Sequence, residues 1–334
     1  MTELPVGAAA LEQMQQPLLA YKGGNVVEIV NLLNALPGAC AQGLIWGIMA
    51  IGVYITYKIL DLADLTVDGT MATGGAVCIV MMVNGHSVGV SLLCAFAAGM
   101  LAGFVTGILH TAMGIPAILA GILTQLGLYS INLRILGNAS NMAISVDKYD
   151  LLVSLRYIKG VPFYKNTLVV AALIIILLIG VLYWFFGTEL GCSIRATGAN
   201  PRMSCAQGIN INFCKILGLM LSNGIVALAS GLYAQYQGFA DVQAGRGAIV
   251  IGLAAVIIGQ VVFGKICKNF ATRLLAVALG AVIYYLVLQV VLWLGLNAND
   301  LKLISAIVVA VFLAIPVLLE KWKIKRAYTE GGER

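Results

Sequence analysis

The run Thr167-Leu-Val-Val-Ala-Ala-Leu-Ile-Ile-Ile-Leu-Leu-Ile-Gly-Val-Leu-Tyr-Trp-Phe-Phe-Gly187 decides the fold class. It contains no charged side chain and no proline. A helix needs about 20 mostly apolar residues to cross the hydrocarbon of a bilayer. Inside that layer, backbone polar groups must be satisfied within the segment, which a helix does by itself. The run therefore reads as a transmembrane helix. Eight further stretches read the same way, at about 37–57, 69–84, 88–113, 115–136, 213–237, 248–264, 274–294 and 303–319. The expectation is an all-α polytopic membrane protein of about nine transmembrane helices, some broken or re-entrant.

Composition points to the same solvent. Of 334 residues, 61% are hydrophobic and 10% charged, against about 25% charged in soluble domains. The net charge of +6 would suggest nucleic acid in a soluble protein. Here it reads as cytoplasmic Lys and Arg flanking membrane helices. The seven cysteines form no Cys-x-x-Cys pair and only two histidines occur, so neither a metal site nor a disulfide framework is expected. His86 and His110 fall near opposite membrane faces, which leaves no clustered groups for an intramembrane enzyme.

Counting Lys and Arg sets an orientation. With the C-terminus cytoplasmic, the inner loops hold Lys58, then Arg195, Arg202 and Lys215, then Lys265, Lys268 and Arg273. The tail, 320–334, adds five more, four of them between Lys321 and Arg326. The N-terminus is then outside, and Lys148, Arg156, Lys159 and Lys165 share one external loop at about 137–166. Residues 1–37 do not read as a signal peptide, since Glu3 and Glu12 stand where basic residues belong. Residues 1–35 form an N-terminal extension in which 7–19 suits an interfacial helix.

The second and seventh segments are short, interrupted by glycine, and preceded by Asp- and Gly-containing loops, Asp64-Leu-Thr-Val-Asp-Gly69 and Asp241-Val-Gln-Ala-Gly245. In this topology they run in opposite directions. Two readings stand: an inverted repeat around a central pathway, or glycine permitting close helix packing.

The loop 188–211 is polar, cytoplasmic and carries Leu190-Gly-Cys-Ser-Ile-Arg-Ala-Thr-Gly-Ala-Asn-Pro-Arg-Met-Ser-Cys-Ala-Gln-Gly-Ile209. It reads as two short helices divided at 198–201, the second spanning about 203–209, with Asn200 as N-cap and Pro201 at the first helical position. A rigid surface helix suits a subunit driven by a cytoplasmic partner; a solvated connector is the plain alternative. The chain has no Gly-x-x-x-x-Gly-Lys-Ser/Thr phosphate loop and no catalytic constellation, so it is read as a non-enzyme without a nucleotide site.

This loop resembles the coupling loop of ABC importer permeases of the branched-chain amino acid and ribose type. Two further stretches agree with that family. One is Gln42-Gly-Leu-Ile-Trp-Gly-Ile-Met-Ala-Ile-Gly-Val-Tyr-Ile-Thr-Tyr57 with the connection that follows to Gly69. The other is Gly245-Arg-Gly-Ala-Ile-Val-Ile-Gly-Leu-Ala-Ala-Val-Ile-Ile-Gly259. Leu119-Ala-Gly-Ile-Leu-Thr124 and Tyr129-Ser-Ile-Asn-Leu-Arg134 are most similar to a subgroup linked to tryptophan and tyrosine uptake. The resemblance covers about 36–319 and implies a permease domain in the bacterial inner membrane, working by alternating access. It implies a second copy of the chain, two cytoplasmic ATP-binding subunits that hold the ATP and Mg, and an extracytoplasmic substrate-binding protein; no cofactor is bound by the chain itself. On the coupling loop it singles out Gly191, Arg195, Ala196, Gly198, Asn200, Pro201, Arg202 and Gly208.

Polar residues inside the membrane need a partner or water. Thr124, Gln125, Tyr129 and Asn132 lie on the fourth segment, and the spacing of 125, 129 and 132 puts these three on one helical face. With Asn223 on the sixth segment they are expected to line the pathway or a dimer seam; interhelical glue is the alternative. Tyr233, Gln235 and Gln237 are similar candidates. Asp61, Asp64 and Asp68 would share one side of a helix. They suit helix capping or pairing, or else the ion or proton site of a stand-alone secondary transporter, which is the alternative function.

Overall fold

The computed structural model describes residues 25–145, 149, 151–158, 166–264, 266–293, 303–312 and 314. The expected interfacial helix at 7–19 and the basic tail at 320–334 lie outside these residues.

Nine apolar helices appear among the described residues, and seven of them are long and apolar enough to cross a membrane. In chain order, α1 is Asn25–Tyr54, continued by a π-helical turn at Ile55–Ile59. Then come α2 Thr66–Val83, α3 Val88–Thr111, α4 Ala117–Ile135 and α5 Thr167–Phe186. Two short polar helices follow, α6 Glu189–Ala199 and α7 Pro201–Ala206. The remainder are α8 Ile211–Gln237, α9 Ala248–Phe263, α10 Phe270–Trp293 and α11 Leu303–Phe312. The expected limit of the N-terminal extension at 35 falls inside α1, which carries Pro37 within it.

Helices α1, α2 and α8 are largely buried, whereas α3, α4 and α5 expose most of their length. Alternation of polar and apolar faces does not decide this, because lipid accepts apolar side chains as readily as the interior does. Small residues decide it. A Cβ on Gly99 would lie 2.3 Å from the Asn223 carbonyl oxygen, and one on Gly103 would lie 2.3 Å from that of Leu219. Only glycine lets the α3 backbone approach α8 so closely, the small-residue packing found between membrane helices.

Of the two short segments, α9 begins at Ala248 as expected and α2 does not, and their starts meet. Helix α2 begins at Thr66 rather than 69, because Asp64 Oδ1 accepts the Thr66 backbone N–H at 2.9 Å and sets the first turn. With 16 residues, α9 spans about 24 Å at 1.5 Å per residue, less than the ~30 Å hydrocarbon layer. The Asp68 carboxylate in the first turn of α2 accepts the N–H groups of Gly247 at 3.0 Å and Ile249 at 2.9 Å. The N-terminus of α2 therefore caps the N-terminus of α9.

The all-α expectation has one small exception. Asn141–Ala143 (β1) pairs antiparallel with Phe239–Asp241 (β2), with Met142 opposite Ala240. The described part of the loop 137–166 folds back on the helices: Val153 is fully buried, and Thr167 Oγ1 donates to the Ser154 carbonyl at 2.7 Å.

Candidate functional site

The polar loop forms two helices, as expected, but their division is set by Asn200 alone. Thr188 caps α6, its Oγ1 accepting from the Gly191 N–H at 3.4 Å; Asn200 Oδ1 caps α7, accepting from Met203 N at 3.1 Å. The second helix is thus Pro201–Ala206 and not 203–209; Gly208, at φ 81°, lies beyond it. Asn200, Pro201, Arg202, Cys205 and Gly208 are exposed, as is Arg195, whose guanidinium sits 5.5 Å from the Phe270 ring centre. Ala196 and Gly198 are half-buried and Gly191 is buried.

The expected division at 198–201 falls at Asn200, and Gly198, still inside α6, makes a contact instead. Gly198 is helical, and a Cβ there would lie 1.7 Å from the Ile59 carbonyl oxygen. Gly191 touches the backbone of Phe185 and Phe186 in the same manner. The exposed helix pair therefore rests on the end of the π-helical turn. From there the chain continues through Leu60, whose side chain packs on Gly218 of α8, to Asp64.

Asp64 enters a buried polar hub. It is 3% exposed, and Asn223 and Thr70 are fully enclosed. Asp64 Oδ2 accepts from Asn223 Nδ2 at 2.7 Å, and Asn223 Oδ1 accepts from Thr70 Oγ1 at 2.7 Å. A hydroxyl chain extends the hub sideways. Thr66 and Thr106 Oγ1 atoms lie 2.8 Å apart, and Thr106 donates to Thr124 Oγ1 at 2.9 Å. Four helices and the 60–65 loop are joined at this level by neutral donors around one carboxyl group.

The sequence-predicted residues thus separate. Asn223 and Thr124 belong to the hub. Asn132 is fully buried, but neither its Nδ2 nor its Oδ1 has a partner among the described residues. Tyr129 is 42% exposed and Gln125 half-buried, so 125, 129 and 132 do not face one compartment. The inward face of α4 is instead Ala120, Gly121, Thr124, Leu128 and Asn132. The Asp triplet separates as well. The 60–65 chain is not helical, Asp61 is exposed at φ 54°, Asp64 joins the hub and Asp68 caps α9. Capping was foreseen; one shared helical side was not found.

Sequence reasoning missed Thr66, Thr70 and Thr106. Their signal was available, since a hydroxyl in an apolar span must bond either to its own helix or across to a neighbour. It also missed a cavity of about 170 Å³ between α2, α8 and the segment 239–244. This cavity lies at the end of α8 away from α6 and α7, beside Tyr233. Its inner end is closed where Ser230 Oγ donates to the Met71 carbonyl. Gln237 Nε2 donates to Tyr233 Oη at 2.8 Å, and Gln235 Oε1 accepts from Leu152 N at 3.1 Å.

Residues 37–316 match the family described as branched-chain amino acid transport system / permease component. A tyrosine transport system permease protein of Clostridioides difficile (strain R20291) is 40% identical over 282 residues, 84% of this chain and 91% of that protein. An uncharacterized protein of Rickettsia prowazekii (strain Madrid E) is 33% identical over 84% of this chain and 98% of its own. A fructose import permease protein of Bifidobacterium longum (strain NCC 2705) is 29% identical, covering 74% of this chain and 68% of the relative.

Proposed function

Because the chain belongs to the permease-component family of branched-chain amino acid transport systems, we propose that it forms the membrane pathway of an ATP-driven importer for an aromatic amino acid. The family is a transport component and not itself catalytic. ATP and Mg reside in two partner subunits, which seat on α6 and α7. A second copy of this chain completes the pathway, and an extracytoplasmic binding protein delivers the substrate. The N-terminus lies outside and the C-terminus in the cytoplasm of a bacterial inner membrane, in keeping with the distribution of Lys and Arg.

One observation carries the mechanism: the backbone contact of Gly198 with Ile59. When the partner ATPase closes, it moves α6 and α7 together. With no side chain between Gly198 and Ile59 to absorb the motion, it passes to the π-helical turn, and thence through Leu60 and the loop to Asp64 and Asn223. Exchange of partners in that hub opens one end of the pathway while the other closes, which is alternating access. Asn132, buried without partners among the described residues, supports a second arrangement in which its amide is satisfied. The aromatic substrate is supported by the likeness to the tyrosine permease over most of both chains.

The test is reconstitution. Proteoliposomes holding the chain with its ATPase and binding protein should accumulate tyrosine only with ATP inside the partner's compartment. Uptake by the chain alone, driven by an ion or proton gradient, would instead establish the secondary-transporter reading.

A further inference from the structure

We propose that the cavity between α2, α8 and residues 239–244 is a transit site for an aromatic amino acid, its ammonium held by Asp241 and its ring by Phe239 and Tyr233. This rests on the importer reading above and adds to it a place and a selectivity. The cavity is walled by two of the most buried helices, at the end away from the coupling helices. It is about 170 Å³, below the roughly 300–1,000 Å³ of pockets that bind drug-sized ligands tightly. A small solute fits such a space and leaves it readily, as a pathway requires.

The lining chooses among solutes. Among the described residues, Asp241 is its one carboxyl, and no Lys, Arg or His lines it. The Asp241 carboxylate is held in place by one local bond, accepted from the Gln243 N–H at 3.0 Å. Its second oxygen has no partner among the described residues and would take an ammonium group. Phe239 and Tyr233 offer ring faces and edges to an aromatic side chain. The Tyr233 oxygen accepts from Gln237, and its own hydrogen, which has no acceptor among the described residues, would donate to the ligand's carboxylate. The rest of the wall is mainly alanine, glycine and Met71, and the Ser230 hydroxyl hydrogen is already committed to the Met71 carbonyl. A sugar would lose most of its hydrogen bonds with water and recover few. An arylalkyl acid without an amine would meet Asp241 as a like charge. An aromatic amino acid satisfies each part of the wall.

The chain in nanodiscs is tested with radiolabelled tyrosine against three competitors: tyramine, 3-(4-hydroxyphenyl)propionate and fructose. Tyrosine should bind saturably and tyramine should displace it, while the other two should not. Asp241→Asn should weaken tyrosine by about tenfold, the usual scale for a charge-assisted bond, and Phe239→Ala by several-fold. No saturable binding, equal affinity in Asp241→Asn, or displacement by hydroxyphenylpropionate as strong as by tyramine would each overturn the site. Should Asp241→Asn fail to fold, Ala244→Cys at the half-buried rim gives a second readout. Tyrosine, but not fructose, should slow its maleimide labelling, followed by peptide mass; equal rates would overturn the site. ATP-driven tyrosine uptake by the assembled importer separates the two readings. If uptake holds and these tests fail, the cavity proposal falls alone. If Asp241-dependent binding holds without ATP-driven uptake, the importer reading falls.

Discussion

Gly198 of α6 and Ile59 at the end of the π-helical turn touch backbone to backbone, so that any Cβ at position 198 would overlap the Ile59 carbonyl oxygen. Gly198→Ala must push α6 off its seat. The chain should still assemble with its ATPase, but the ATP hydrolysed per solute moved should rise by about tenfold or more, since small misplacements of coupled elements cost rate on that scale. Gly127→Ala, where a Cβ meets nothing within 4 Å, is the control and should leave coupling unchanged. Paired measurements of uptake and ATPase rate decide it.

Asp68 holds the first turn of a helix that begins far along the chain. Asp68→Ala removes that cap and should lower stability by about 1–2 kcal/mol. Asp68→Asn keeps an acceptor oxygen and should lose less. Thermal unfolding of both variants in nanodiscs gives the order, and Ala at or above wild type would contradict the capping role.

Asn223→Leu leaves the Asp64 carboxyl and the Thr70 hydroxyl buried without their partner. The expected loss is about 1–3 kcal/mol, the scale for leaving a buried polar group without its hydrogen-bond partner. Asp64→Leu made together with it should cost far less than the sum, because both polar groups then leave the interior. Additive losses in this double-mutant cycle would mean the two residues do not act as a unit.

Asn132→Leu removes a buried amide that has no partner among the described residues. It should raise the melting temperature, by relief of about 1–3 kcal/mol, while slowing uptake, since the amide would be lost to the other conformation. Gain in stability with unchanged uptake would detach Asn132 from the transport cycle.

How far these features were legible varies with the physics that creates them. Helix α5 was readable to its ends because an uncharged run between polar flanks has one stable place in a bilayer. The cap at Asn200 was readable because capping is local chemistry, and Thr188 could have been read in the same way. The start of α2 was misplaced by three residues because Asp64 reaches forward to Thr66, and a reading by hydropathy sees only where apolar residues begin. The contact made by Gly198 was illegible for a different reason: a glycine near a helix end and one that admits a neighbouring backbone look the same in sequence. On α4, the 3.6-residue period grouped 125, 129 and 132 correctly as neighbours. It cannot say which side faces α2, and Leu128 packed on Gly69 turns that side inward. The hub was illegible as a unit, because Asp64 and Asn223 are 159 positions apart and no periodicity links them.

The Asp68 cap also bears on how the chain is made. Its two acceptor oxygens meet N–H groups 179 and 181 residues further on. At about 5–20 residues per second, α2 waits some ~10–35 s after synthesis for the backbone that will satisfy it. During that interval an acidic helix end must stay near water or be shielded by the insertion machinery. Quality control that removes early-arrested chains would therefore find this end first.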